Sequence, residues 1–257
     1  MTMVPPQLAA VGRRHYCGTT SINLRVRDRL LAEMQSRRCE DNRQVSCRSD
    51  ALRVDLDFVV KLPTYSQELG LDLRRPEDRF RWLVASVLFA KRISAGIAET
   101  TFKLLMKNRL DTPERIRGEY WERLVEVLDL GGYVRYDFST ATNLQTLSSQ
   151  VLDTYGTLDN IHEEATDSRD LEKRLDELRG VGPTAISIFL RELRGIWQKA
   201  DPEPSPVAKR LAASLGLSDA RKYEAQLVRL YIEYCKKGRC DDCPAKDLCR
   251  SRKRVRT

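Results

Sequence analysis

Four cysteines near the end of the chain have the residue type and spacing that hold a metal centre. Cys235, Cys240, Cys243 and Cys249 stand in the pattern C-x4-C-x2-C-x5-C. Thiolates this close in sequence can wrap one centre, either a [4Fe–4S] cluster or a structural zinc ion. Four-cysteine zinc sites usually divide into two C-x2-C pairs with a long spacer, whereas this stretch has one such pair. The spacing therefore favours the iron–sulfur cluster, with zinc as the alternative.

A second candidate site is the stretch "LRGVGP" at 178–183, which lies between two segments of helical periodicity. Gly180 and Gly182 permit a tight reversal, and Pro183 suits the first position of a helix. Gly180, Val181, Gly182 and Thr184 are the predicted DNA contacts of this turn, because backbone N–H groups at a hairpin and helix N-terminus form an anion site able to bind a DNA phosphate. The pattern predicts a helix-hairpin-helix, although many such turns merely connect two helices.

The elements that position these motifs are predicted to be helices. Apolar residues recur at helical spacing from Phe80 to Leu88, and further amphipathic segments at 121–128, 140–155 and 171–178 each end near a glycine. One stretch, 54–60, alternates like a strand but has no second strand to pair with. We therefore predict an all-α fold.

The charge distribution is uneven along the 257 residues, whose formal net charge is +8. Residues 1–54 carry ten Arg against five acidic residues, and residues 250–257 carry five basic residues and no acid. The residues between these basic ends are weakly acidic in sum. Such a chain would bind a polyanion through its basic ends and through individual backbone N–H donors that point toward it. Because no apolar run approaches the ~18 residues of a membrane span, we expect an intracellular protein without a membrane partner.

Taken together, the motifs resemble a known family. The hairpin "LRGVGPTA", the later stretch "ADPEPSPVAKRL" and the four cysteines occur in the order and spacing of the helix-hairpin-helix DNA glycosylases. The similarity is to the endonuclease III-like branch, which carries a C-terminal iron–sulfur cluster, and it runs from about Phe80 to Cys249. It implies base-excision repair of duplex DNA by a cytoplasmic, nucleoid-associated protein, which we expect to be a monomer.

The resemblance also implies a domain organisation with two helical lobes and DNA between them. Residues 76–194 would form a helical barrel lobe ending in the helix-hairpin-helix. Residues 55–75 plus 195–250 would form the lobe with the cluster loop. Residues 1–54, with Cys17, Cys39 and Cys47, form an extension to which no role is assigned, and residues 251–257 form a basic tail.

For catalysis, the resemblance assigns the essential carboxylate to Asp201. Family members that also cut the DNA backbone have a lysine two residues after the second hairpin glycine, where this chain has Thr184. Without that amine no Schiff base can form at this position, so the implied reaction is hydrolysis of the glycosidic bond by water. Lys199, two residues before Asp201, could in principle supply another amine. The alternatives are a non-catalytic DNA-binding module and a bifunctional glycosylase with lyase activity.

Further residues are assigned to the DNA interface. Lys91 stands where endonuclease III has a glutamine that fills the gap left by the extruded base. A cluster would hold the loop between its first two cysteines in one conformation. The cations of that loop would then be placed to contact DNA phosphates, and they are Lys236, Lys237 and Arg239. The base pocket is assigned to Tyr133 and Tyr136, each of which could instead be a core tyrosine.

Overall fold

A computed structural model describes residues 61–251, and all regular structure in this range is helical. The prediction of an all-α fold is thereby confirmed for this part of the chain. The extension 1–54 with its three cysteines, the strand-like stretch 54–60 and the tail beyond residue 251 lie outside the described residues. Every helix in the described range is too short or too polar to cross a lipid bilayer.

Residues 61–251 form eleven α-helices, with two π-helical segments that extend α6 and α11. The α-helices are α1 Tyr65–Glu68, α2 Pro76–Phe89, α3 Ala95–Lys107, α4 Pro113–Gly118, α5 Trp121–Leu130, α6 Asp137–Gln150, α7 Leu158–Glu164, α8 Ser168–Asp176, α9 Pro183–Leu193, α10 Pro206–Leu215 and α11 Glu224–Leu230. The π-helical segments are Val151–Tyr155 and Tyr231–Cys235.

Local sequence signals explain several helix starts. Pro183 begins α9, as its fixed φ angle predicts. Pro206 begins α10, and the hydroxyl of Ser205 caps that helix by accepting a hydrogen bond from the N–H of Ala208 at 3.3 Å. Asp201 is therefore not needed to cap α10.

The larger hydrophobic cluster is built around α2. Trp82, Leu83 and Leu88 of this helix have no exposed surface. The Trp82 indole N–H donates to the carbonyl of Phe189 in α9 at 3.2 Å, which satisfies the one polar group of a buried tryptophan. Each such side chain contributes about 1.5–3 kcal/mol by burial, so α2 and α9 are held in a fixed relation.

A second hydrophobic cluster joins α10, α11 and the cysteine-containing loop. Its buried members include Leu211, Leu227 and Cys243. Leu62 packs against this second cluster, whereas Tyr65, only three residues later, belongs to the first. The predicted domain bounds stay predictions.

The hairpin between α8 and α9 needs glycine at one of its two positions. Gly180 has φ +85°, and a Cβ added there would lie 2.8 Å from the Cβ of Asn143. Gln150 fixes the entry to the turn, because its side chain accepts from the N–H of Arg179 at 2.7 Å and donates to the carbonyl of Glu177 at 3.1 Å. Gly182 has φ −97°, and a Cβ there would meet no atom of residues 61–251 within 4 Å.

Alanine substitutions should separate these two glycines. We expect Gly180→Ala to lower the free energy of unfolding by about 1–3 kcal/mol, because it combines a left-handed backbone with a steric clash. Gly182→Ala, the matched control, should change it by less than about 0.5 kcal/mol. Urea unfolding followed by circular dichroism measures both. Equal destabilisation by the two substitutions would contradict the hairpin geometry.

Candidate functional site

A cavity of about 820 Å³ lies beside the start of α9. Thr184 and Arg191, which share one face of that helix, form part of its wall. The rest of the wall comes from Tyr65, from Ile188 and from residues within 89–98 and 232–237. We call this space the hairpin cavity. Its volume lies within the range of about 300–1,000 Å³ that is usual for ligand pockets.

Positive charge dominates the wall of the hairpin cavity. Among residues 61–251, its charged lining residues are five cations and one carboxylate: Lys91, Arg92, Arg191, Lys236, Lys237 and Glu233. The carboxylate of Glu233 already accepts from Lys237 at 2.7 Å and from the Tyr65 hydroxyl at 3.3 Å. The hydrogen bond from Lys237 holds the pKa of Glu233 below its ordinary value. A cavity with this excess of positive charge favours an anionic ligand.

Four of the residues predicted to contact DNA share the hairpin cavity, although they come from three separate stretches of sequence. They are Lys91, Thr184, Lys236 and Lys237. The remaining members of the predicted interface lie elsewhere. Val181 is 2% exposed and belongs to the first hydrophobic cluster. Arg239 lies 3.3 Å from the carboxylate of Asp242 and 5.8 Å from the ring centre of Tyr234.

The two tyrosines assigned to a base pocket differ in exposure. Tyr133 has no exposed surface, and its hydroxyl donates to the carbonyl of Leu88 at 2.8 Å. Burial raises the pKa of this hydroxyl. Tyr136 is half-buried, with the ammonium of Lys91 at 5.9 Å and the guanidinium of Arg135 at 5.6 Å from its ring centre. Tyr133 is thus part of the core, and Tyr136 borders the hairpin cavity through Lys91.

Asp201 lies in the loop between α9 and α10 and is not part of the hairpin cavity wall. Its Oδ2 accepts from Arg221 Nη1 at 2.5 Å, and its Oδ1 lies 3.6 Å from Arg194 Nε. Arg194 is also bound at 2.7 Å by Glu224, whose side chain is fully buried. Two guanidinium groups therefore neutralise the carboxylate to which the catalytic role was assigned, although 52% of its side-chain surface remains exposed.

The arginines that hold Asp201 line a second cavity, of about 660 Å³. This cavity and the hairpin cavity have Arg191 in common. Arg221, the partner of Asp201, lines this second cavity and not the hairpin cavity. Glu203, two residues after Asp201, accepts from the same arginine at 3.1 Å. The loop is thus held by a network of charges within hydrogen-bonding range.

The four cysteines of the C-terminal motif are free thiols that line one cavity of about 400 Å³. Burial, reinforced by the three neighbouring thiols, raises the pKa of Cys235 to about 11. Within residues 61–251, no three His, Cys, Asp or Glu side chains are grouped so as to hold a single metal ion. The thiols share the wall of this cavity with residues of α10, including Val207 and Leu211.

Three further residues of the hairpin cavity were not predicted from the sequence, and only one of them, Arg191, has a signal there. Arg191 stands seven residues after Thr184, a spacing that returns to the same helix face, and it directly follows the apolar run 188–190. Tyr65 and Glu233 are joined by a hydrogen bond across 168 positions. No local pattern reveals such a long-range contact, so these two residues could only be found in the folded structure.

Comparison of the chain with protein-family models, with curated proteins and with solved structures finds no match.

Proposed function

We propose that this protein is a DNA glycosylase of the endonuclease III-like, helix-hairpin-helix type, which hydrolyses the N-glycosidic bond of a damaged or mismatched base in duplex DNA. The observation that carries the proposal is the hairpin cavity. It brings Lys91, Thr184 and Lys236 together, each of which was assigned to the DNA interface from the sequence. In this proposal the protein acts as a monomer on DNA within the cell, with duplex DNA between its two helical lobes.

The electrostatics of the cavity support binding of a nucleic-acid backbone. Five cations against one engaged carboxylate favour phosphate groups. The N-terminus of α9 adds main-chain donors, because Gly182 offers no side-chain cap there. Since the fold leaves room for a Cβ at Gly182, the glycine serves, in our proposal, to let a phosphate approach the backbone closely.

The cavity also suits an extruded base. The glycosidic carbon is inaccessible within a duplex, so an enzyme that attacks it must take the nucleotide out of the stack. Tyr65 and Phe89, with ring centres 5.1 Å apart, supply aromatic surface in the cavity wall. Aromatic side chains next to such a space favour a planar ligand.

In the proposed reaction, Asp201 stabilises the positive charge that develops on the sugar and helps to orient the attacking water. Arg221, whose side chain is 44% exposed, competes for this carboxylate. A DNA phosphate that binds Arg221 would release Asp201 from one of its two arginines. Phosphate binding would in this way be coupled to the availability of the catalytic carboxylate.

Hydrolysis without strand cleavage is the expected outcome, because Thr184 has no amine. The ammonium of Lys199 is also engaged, since it donates to the carbonyls of His162 at 2.8 Å and Glu163 at 3.0 Å. The amines of the hairpin cavity, such as that of Lys91, are the candidates for a Schiff base if the protein is bifunctional.

One observation favours the second candidate, a DNA-binding module without catalysis. Asp201 lies outside the hairpin cavity wall and is held by Arg194 and Arg221. A fold of this type can persist after its chemistry has been lost. The two functions make the same prediction for DNA binding and opposite predictions for base release.

We further propose that Cys235, Cys240, Cys243 and Cys249 hold a [4Fe–4S] cluster, with zinc as the alternative. All four cysteines line one cavity, and their spacing, with a single C-x2-C pair, favours the cluster over zinc, whose four-cysteine sites usually have two such pairs. A bound cluster would join these four cysteines and so cross-link the loop that contains them. The loop that carries Lys236 and Lys237 would thereby be fixed beside the hairpin cavity.

Metal analysis tests the cofactor. We expect about four iron atoms and four acid-labile sulfides per chain, with broad absorption near ~400 nm, in protein purified without oxygen. Cys243→Ser should lose them because it removes a ligand, whereas Cys47→Ser, outside the motif, should retain them. One zinc per chain would support the alternative, and a full-length protein with neither metal would overturn the proposal.

Base release tests the function. Duplexes with a single uracil, thymine glycol, G·T mismatch or alkylated base should yield strand breaks only after alkali. Asp201→Asn should slow base release by at least ~100-fold, the usual contribution of a positioned general base. Glu203→Gln is the matched control, because it removes a carboxylate bound to the same arginine, and it should stay within about threefold of wild type.

Other results of the base-release assay would support the non-catalytic module or the bifunctional lyase instead. Duplex binding without base release from any substrate, unchanged in Asp201→Asn, would favour the non-catalytic module. Strand cleavage without alkali, together with trapping of the protein on DNA by borohydride, would establish a lyase and contradict simple hydrolysis.

A further inference from the structure

Arg191 is a cation in the hairpin cavity wall for which the described structure provides no partner. Its Nε is buried, and within residues 61–251 the side chain makes no hydrogen bond or ion pair. Burial lowers the pKa of its guanidinium. A buried guanidinium N–H without an acceptor is costly, because its lost hydration is not replaced.

The carboxylates near Arg191 are engaged elsewhere. Glu192 accepts from the backbone N–H of Ser66 at 3.2 Å, and Glu224 binds Arg194 at 2.7 Å. Glu233 binds Lys237 at 2.7 Å. Arg191 therefore keeps its donors for a ligand that enters the cavity from outside.

The surroundings of Arg191 limit what that ligand can be. Lys236 and Lys237 are exposed, which suits them to phosphates of a passing backbone. Arg191 instead has a buried Nε and shares the cavity wall with Phe89 and Ile188. A flat, partly apolar group with hydrogen-bond acceptors along one edge suits this combination of a buried N–H donor and apolar side chains better than a fully hydrated phosphate does.

We propose that Arg191 recognises the carbonyl edge of an extruded base, and that the substrate therefore belongs to the keto bases, such as guanine, uracil, thymine and their damaged forms. This inference rests on the proposed function and names its substrate class. A guanidinium has only donors, so it pairs with the adjacent O6 and N7 acceptors of guanine or with a pyrimidine carbonyl. Adenine presents an amino donor in place of the carbonyl at that edge, so its N7 could accept from only one of the two N–H groups of Arg191.

Equilibrium binding tests this assignment independently of catalysis. The probes are duplexes with a 2′-fluoro sugar that resists hydrolysis and carries uracil, guanine or adenine in a mismatch, and a duplex with a tetrahydrofuran abasic site. Wild type should bind the uracil or guanine duplex at least ~10-fold more tightly than the adenine duplex, as expected for a good bidentate pair.

Two substitutions of Arg191 and one control test whether Arg191 is the cause of the preference for uracil or guanine over adenine. Arg191→Met should remove this preference while changing affinity for the abasic duplex by less than twofold. Arg191→Lys, which keeps the charge but not the planar fork, should recover only part of it. Arg92→Met, the control from the same wall, should weaken binding of all four duplexes equally. Melting temperatures verify that the variants fold.

Several results would overturn the inference. Equal weakening of all duplexes by Arg191→Met would assign Arg191 to a backbone phosphate. A wild-type protein that binds DNA without distinguishing keto from amino bases would also exclude it. If the wild-type protein distinguishes keto from amino bases but releases no base, the inference stands and only the catalytic part of the proposed function is overturned. If the protein does not bind DNA at all, both are overturned.

Discussion

The hydrogen bond from the buried indole of Trp82 to the carbonyl of Phe189 determines how the helix after the hairpin is oriented. Because Phe189 and Leu190 are completely buried in the first hydrophobic cluster, α9 has one rotational setting about its axis. Thr184 and Arg191 are thereby turned toward the hairpin cavity. The position of Arg191 in the cavity wall therefore depends on this packed contact between α2 and α9.

Competition for arginine determines whether the site can act on a ligand. Arg194 and Arg221 already have carboxylate partners, whereas Arg191 has none among the described residues. An arriving anion or carbonyl group therefore meets a free guanidinium at Arg191 but must displace Asp201 from Arg221. Such an arrangement binds first and makes its carboxylate available second, which links recognition of the ligand to the chemistry that we propose.

Much of the fold could be predicted from the sequence because its signals are local. Helical periodicity, the glycine at the hairpin and the Ser205–Pro206 helix start all depend on neighbouring residues, and the structure confirms them. The environment of Asp201 could not be predicted, because Arg221 approaches it from 20 positions away. The same reason applies to Tyr133, whose burial follows from the packing of α2 against the segment after α5.

Protection of lysines from acetylation by duplex DNA tests most directly whether the hairpin cavity is the DNA-binding surface. The full-length protein would be acetylated briefly with and without duplex, and the modified lysines quantified by mass spectrometry. The account predicts slower modification of Lys91 and Lys236, which line the cavity, and no change at Lys107, exposed at the far end of α3. Equal modification of all three lysines in the presence of bound DNA would contradict it.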